Sequence, residues 1–168
     1  MDELIVAIDE AGFRKALSHF ASGVTVVTTE LDGERFGMTV SAFSSVSLEP
    51  PLVLICIEKG TRIHDSIARA ERFAVNVLAD EQQDVSDQFA SRMEDRFSGV
   101  ELRQGRLKVP VLERALAVIE CRLHATLPGG DHTVYVGEVV GAELGEGRPL
   151  IYYRGTYHTL AESSGGVR

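Results

Sequence analysis

An antiparallel β-barrel with helices on its periphery is the fold that the sequence predicts, on three observations. Stretches rich in β-branched and aromatic residues recur along the chain, among them "GVTVVTTE", "LVLICIE", "RFAVNVL", "ALAVIECRLHATL" and "HTVYVGEVVGAEL". Between several of them stand short turn segments, "LDGER", "PGGD" and "GEGR", which are the punctuation of antiparallel pairs. Few segments carry helical periodicity, so the helices must lie around the strands. A length of 168 residues with 44% hydrophobic and 25% charged side chains gives one domain enough apolar material for a core.

Taken in order, "DEAGFRKALSHFASG" spaces Phe13, Ala16, Leu17 and Phe20 at helical intervals and stops near Gly23, an amphipathic helix. "GVTVVTTE" and "FGMTVSAF", joined by "LDGER", predict two strands of a hairpin. After the prolines at 50 and 51, "LVLICIE" is a continuous apolar run too short for a helix, and therefore a buried strand. "TRIHDSIARA" predicts a short helix and "RFAVNVL" another strand. "DEQQDVSDQFASRMEDRF" opens acidic and places Val85, Phe89 and Met93 four apart, a solvated helix with one apolar stripe. "PLIYYRG" and "TYHTL" close the chain as strands, for about seven strands and two or three helices. A single domain is expected over residues 1–160, with 161–168 a flexible tail.

The balance of 25 acidic against 17 basic residues, a net charge of −8, repels phosphate backbones and argues against a nucleic-acid surface. Cys56 and Cys121 sit inside apolar runs without ligand or disulfide spacing, which predicts buried free thiols and a reducing compartment. The amino terminus lacks the pattern of a secretory signal and no stretch is apolar for long enough to cross a bilayer, so a cytoplasmic protein with no membrane partner is expected. No dinucleotide fingerprint, phosphate loop, zinc-protease motif or nucleophile elbow is present, and the histidines at 19, 64, 124, 132 and 158 fall in separate elements, which predicts no metal site.

One run stands out. Between Gly37 and the prolines lie five hydroxyl side chains, Thr39, Ser41, Ser44, Ser45 and Ser47. By themselves they fit either a serine-rich loop bonding its own backbone or a surface built to hydrogen-bond a polyhydroxyl ligand.

"SGVTVVTT", "GMTVSAFSSVSLEPPLVLICI", "GDHTVYVGEV" and "PLIYYRGTYHTL", in that order over roughly residues 11 to 160, resemble the flavin reductase-like family. The resemblance implies an antiparallel Greek-key split β-barrel of the FMN-binding type. It implies FMN or FAD as flavin, NADH or NADPH as reductant, a homodimer, and reduced flavin passed to a flavin-dependent monooxygenase. Rival readings are a non-catalytic flavin-binding protein on the same fold and an enzyme resembling pyridoxamine phosphate oxidase.

The resemblance also assigns residues. Thr39, Val40, Ser41 and Ala42 offer backbone groups to the flavin ring edge where strand pairing ends. Ser44, Ser45 and Ser47 line a bend that offers hydroxyls to the ribityl chain and phosphate, and Cys56 lies on the adjoining strand of the pocket. Lys59, Thr61 and Arg62 supply positive charge and a helix start suited to an anion. His132 positions the nicotinamide, Asp131 orients its imidazole, and Tyr153 and Arg154 lie near the cofactor pocket. Hydride transfer demands alignment rather than an acid or a nucleophile, consistent with the missing triad.

Overall fold

The structure, a computed structural model, describes residues 8–161. The expected tail at 161–168 therefore lies, apart from Ala161, outside the described residues. Among the described residues, twelve strands, three α-helices and one short 3-10 helix follow one another. In chain order they are α1 (Glu10–Leu17), β1 (Ser22–Gly23), β2 (Thr25–Leu31), β3 (Glu34–Val40), β4 (Phe43–Leu48), β5 (Pro51–Glu58), α2 (Arg62–Ala70), β6 (Arg72–Val77), the 3-10 turn Asp80–Gln82, α3 (Gln83–Ala90), β7 (Leu102–Gln104), β8 (Pro110–Leu112), β9 (Ala117–Gly129), β10 (His132–Leu144), β11 (Ile151–Tyr153) and β12 (Thr156–His158).

Seven strands make the main antiparallel sheet in the order β3-β2-β6-β9-β10-β5-β4. Six of these, β2, β3, β5, β6, β9 and β10, are expected from the sequence and β4 is not, while the expected closing strands form β11 and β12 outside this sheet. The additional short strands pair in two small sheets, β1-β11-β12 and β7-β8, the latter in a segment whose strands went unread. Both edges of the main sheet, β3 and β4, are consecutive in the chain, and the two residues Ser41–Ala42 carry the backbone from one edge to the other. The seam of the split barrel therefore lies at the hydroxyl-rich run.

Strand alternation explains the core. On β2, Val26 and Val27 point to opposite faces, as do Ala74 and Val75 on β6, and all four are buried. One face packs Val27, Val40, Ile55, Ile57, Phe73, Val75 and Tyr135 inside the barrel, closed by Ile63 and Ile67 of α2. The other packs Val26, Ala74, Leu78 and Val118 under Phe89 of α3 and Val109, Val111 and Leu112 of the β7-β8 segment. Burial on both sides is why these strands read as continuous apolar runs. Asn76 is fully buried among them and satisfied, donating to the Val26 carbonyl at 2.9 Å and accepting from the Leu112 N–H at 2.9 Å.

The "LDGER" turn forms as expected, with Asp32 (φ 53°) and Gly33 (φ 82°) closing the β2-β3 hairpin. Gly37 matters for a different reason. A Cβ there would stand 2.4 Å from the Phe89 ring and 2.9 Å from that of Phe97, so its absence lets α3 and the following loop lie directly on β3.

Three expectations are corrected. The serine run is not a bend: Ser44, Ser45 and Ser47 lie on edge strand β4, paired with β5 and bulged between Ser45 and Ser47. Helix α3 stops at Ala90, because the chain turns out at Ser91, so Met93 is half exposed in a loop while Phe89 is buried. Helix α1 forms with Asp9 capping the Gly12 N–H at 2.7 Å, but it buries none of its residues, and Phe13 and Leu17 remain exposed.

Candidate functional site

The candidate site lies where the seam of the barrel meets the start of α2. Each edge strand has a neighbour on one side only, β2 for β3 and β5 for β4, so alternate backbone N–H and C=O groups on their free sides face no strand. At the crossover the Cys56 N–H donates to the Ala42 carbonyl at 3.1 Å, fixing Ala42 beside β5. Cys56 in turn lies opposite Val134 of β10. Cys56 is half-buried rather than buried, with its thiol pushed up by desolvation, whereas Cys121 is enclosed as expected.

The hydroxyls divide by what already engages them. Thr39 donates its Oγ1 to the Ser86 carbonyl at 2.6 Å, tying β3 to α3, and is spent structurally. Ser44 donates to the Ser45 carbonyl at 3.1 Å, and Ser47 accepts the Glu49 N–H at 3.2 Å. Ser41 and Ser45 are exposed, and among the described residues their hydroxyls meet no partner. The run is therefore partly turn chemistry and partly free hydroxyl.

Beyond β5, the backbone turns through Gly60 (φ 84°) into α2. Thr61 is the N-cap residue, yet its hydroxyl donates backward to the Glu58 carbonyl at 2.8 Å and no side chain caps the helix. The His64 N–H donates to the Thr61 carbonyl at 3.1 Å, which leaves the Arg62 and Ile63 N–H groups open to an external acceptor. Lys59 leans on the β9-β10 turn, its Nζ donating to the Gly130 carbonyl at 2.6 Å and its N–H to the Asp131 carbonyl at 2.9 Å. Arg62 pairs with the Glu34 carboxylate and lies 5.4 Å from the centre of the Phe36 ring.

His132 begins β10 directly opposite Glu58. Its Nδ1 is 2.7 Å from Asp131 Oδ1, and this hydrogen bond, with the charges of His132 and Lys59, holds the Asp131 carboxyl below the usual carboxylate range. Next to it stands a network that the sequence reading missed. His64 of α2 reaches Asp65 Oδ1 through Nδ1 at 2.7 Å and Thr133 Oγ1 through Nε2 at 2.8 Å. Tyr135 donates to the His64 carbonyl at 2.9 Å, its phenol raised by burial and by the Asp65 charge. Helix α2 is thereby bolted to β10 beside His132. Only spacing across 69 residues brings His64 to Thr133, and no local pattern signals that.

Lys59, Thr61, Arg62, Asp131 and His132 are therefore gathered at one end of the β5-β10 pair. Tyr153 and Arg154 are not on that sheet. They close the β11-β12 hairpin (Arg154 φ 50°, Gly155 φ 84°), which pairs with β1, and the Arg154 N–H donates to the Ser18 carbonyl at 2.9 Å. Tyr157 of the same hairpin joins it to the seam region: its hydroxyl is 2.8 Å from Ser86 Oγ, whose backbone carbonyl holds Thr39.

A split antiparallel barrel whose facing edges adjoin an uncapped helix start is the architecture that the resemblance to flavin reductases predicts. The comparisons agree. Residues 17–161 match the family described as flavin reductase like domain. The reductase component of the 4-hydroxyphenylacetate 3-monooxygenase of Thermus thermophilus is 46% identical over 149 residues, covering 88% of this chain and 95% of the relative. The reductase subunit HsaB of a flavin-dependent monooxygenase of Rhodococcus jostii is 45% identical over 152 residues, 90% of this chain and 78% of the relative. Among solved structures, the NADH:FAD oxidoreductase SgcE6 of Streptomyces globisporus, in complex with NAD and FAD fragments, superposes with a TM-score of 0.91 at 35% identity, covering 97% of this chain and 99% of that one. The chain belongs to the flavin reductase-like family, and it is an oxidoreductase that reduces flavin.

Proposed function

We propose that this chain takes a hydride from NADH or NADPH onto FMN or FAD and releases the reduced flavin to a flavin-dependent monooxygenase, acting as a homodimer. The observation that carries the reading is the juxtaposition of two unpaired strand edges, joined at Ser41–Ala42, with the uncapped start of α2 and with His132. The residues present fit a flavin. The free edges suit the carbonyl and N–H rim of its ring, the unengaged hydroxyls of Ser41 and Ser45 suit the ribityl chain, and Lys59 with the open N–H groups of α2 suits a phosphate.

When bound, flavin supplies the hydride acceptor. What the chain supplies is alignment. His132, fixed by Asp131 and flanked by the His64–Thr133 bond, presents an exposed imidazole that can orient a nicotinamide carboxamide without itself transferring a proton. Family membership and the names of the two monooxygenase reductase components support the oxygenase partner.

A steady-state assay crossing FMN and FAD with NADH and NADPH tests the reading. Oxidation of a nicotinamide in at least one combination is expected. Failure in all four, together with no flavin binding, overturns it; flavin that binds tightly yet is never reduced leaves a flavin carrier instead.

A further inference from the structure

Helix α2 closes the barrel with Ile63 and Ile67, both buried. His64 lies beside them with its side chain only 18% exposed. Packing does not ask for an imidazole there, since an aliphatic side chain closes a barrel without a polar group to satisfy. The imidazole is satisfied at both ends, Nδ1 lying 2.7 Å from Asp65 Oδ1 and Nε2 2.8 Å from Thr133 Oγ1. A carboxylate only accepts, so in the neutral ring Nδ1 carries the proton and Nε2 accepts the Thr133 O–H. The ring also meets the Tyr135 ring edge-on, with centroids 5.6 Å apart.

Thr133 follows His132 on β10, and strand alternation sends their side chains to opposite faces, that of Thr133 inward to α2 and that of His132 outward. The backbone of His132 is therefore bracketed. On one side Lys59 holds the turn, its N–H donating to the Asp131 carbonyl at 2.9 Å and its Nζ to the Gly130 carbonyl at 2.6 Å. On the other, His64 is the one partner of the buried Thr133 hydroxyl among the described residues. Strand β10 begins at His132, so the ladder continues from that residue in one direction only. The contacts at 131 and 133 thus set the angle at which the His132 ring leaves the sheet.

We propose that His64 is a positioning residue for the reduction step: through Thr133 it sets the backbone angle from which His132 meets the nicotinamide. The inference rests on the flavin reductase reading and adds to it a residue that touches no nucleotide. Both nitrogens of the His64 ring are taken and the ring is mostly buried, so its influence runs through its bond to β10. A displacement of about 1 Å at a positioning group costs up to about a hundredfold in rate, so one hydrogen bond behind His132 is enough to be felt. Losing that bond leaves the packing in place. Tyr135 still donates to the His64 carbonyl at 2.9 Å, and Ile63 and Ile67 still close the barrel.

Thr133→Val removes the hydroxyl and nearly keeps the shape, whereas Thr133→Ser keeps the hydroxyl. In stopped-flow assays of the full chain at saturating flavin, with NADH and with NADPH, Thr133→Val should slow flavin reduction by about five- to tenfold, and Thr133→Ser should recover most of that rate. His64→Leu should match Thr133→Val, and the double variant should lose no more than either single one, because both remove the same bond. On a His132→Ala background, Thr133→Val should cost nothing further. In the flavin-free protein, the ring-nitrogen NMR signals of His132 should shift in Thr133→Val and stay in place in Thr133→Ser. Unchanged reduction rates, a loss that Thr133→Ser shares, a loss that persists without the His132 ring, or His132 signals that do not move each overturn the assignment and leave the reductase reading standing. A wild-type chain that oxidises neither nicotinamide overturns both.

Discussion

Asp131 Oδ1 lies 2.7 Å from His132 Nδ1 at the tip of the β9-β10 hairpin, and the backbone of His132 is in register with Glu58 of β5. The pair fixes which ring nitrogen faces outward, since Nδ1 is engaged and Nε2 is left for a substrate. His132→Ala should lower kcat/KM for the nicotinamide by about ten- to a hundredfold, the scale of a lost positioning contact. Flavin affinity should change less than about threefold. Asp131→Asn keeps an acceptor and loses the charge, so its loss should be smaller. Stopped-flow reduction and a flavin titration read the two quantities separately; parallel loss of both would remove His132 from the nicotinamide role.

Glu120 is buried, and its two carboxylate oxygens accept the Arg106 N–H at 2.9 Å and the Leu107 N–H at 2.7 Å. These bonds hold the turn that leads into β8. Glu120→Ala should destabilise the fold by about 2–4 kcal/mol, from two charge-assisted bonds and two stranded backbone donors. Urea unfolding with an unchanged m-value checks this.

Gly137 sits at a register shift on β10, where a Cβ would stand 2.5 Å from Phe73 Cζ and 2.7 Å from Cys121 Cβ. Both neighbours are fully buried and cannot retreat. Gly137→Ala should cost about 1–3 kcal/mol by overpacking, whereas Gly141→Ala, which meets only the Arg106 side chain at 3.8 Å, should be close to neutral. Thermal melts of the two variants side by side provide the comparison.

The Cys121 thiol is pushed up to about 12, first by burial and second by the charge of Glu120. The native state thus favours the neutral thiol more than the unfolded chain does. That contribution is complete below an ordinary thiol value near 9.0 and is lost as pH rises from there towards 12. Stability should accordingly fall with pH in that alkaline window, and a Cys121→Ala variant should show a shallower fall. A disulfide reagent at pH 8 should label Cys121 only in denaturant, with Cys56 the sole native target among the two.

Much of the fold is legible locally. Hydrophobic alternation and turn chemistry give β2, β3, β5, β6, β9 and β10 and the Asp32–Gly33 hairpin, because each depends on residues close in sequence. The helix ends are less legible. Met93 continues the periodic spacing of Val85 and Phe89, yet the loop carrying it departs to place Arg96 against the Gly37 carbonyl, a contact between residues 59 apart. Likewise the prolines after "SSVS" suggest a bend, while pairing with β5 makes that run a strand.

By itself the sequence determined the class of barrel and the family motifs, and it pointed to residues 39–62 and 131–132 as site candidates, since these follow from the order of residue types along the chain. Only the tertiary structure decided which hydroxyls are free and which are spent, and that Arg35 of β3, Arg62 of α2 and Arg92 and Arg96 of the loop after α3 line one cavity. The physical reason is that a polar side chain's availability depends on the competing partner it meets. Thr39 finds its partner on Ser86 and Arg62 on Glu34, at separations that no local pattern encodes.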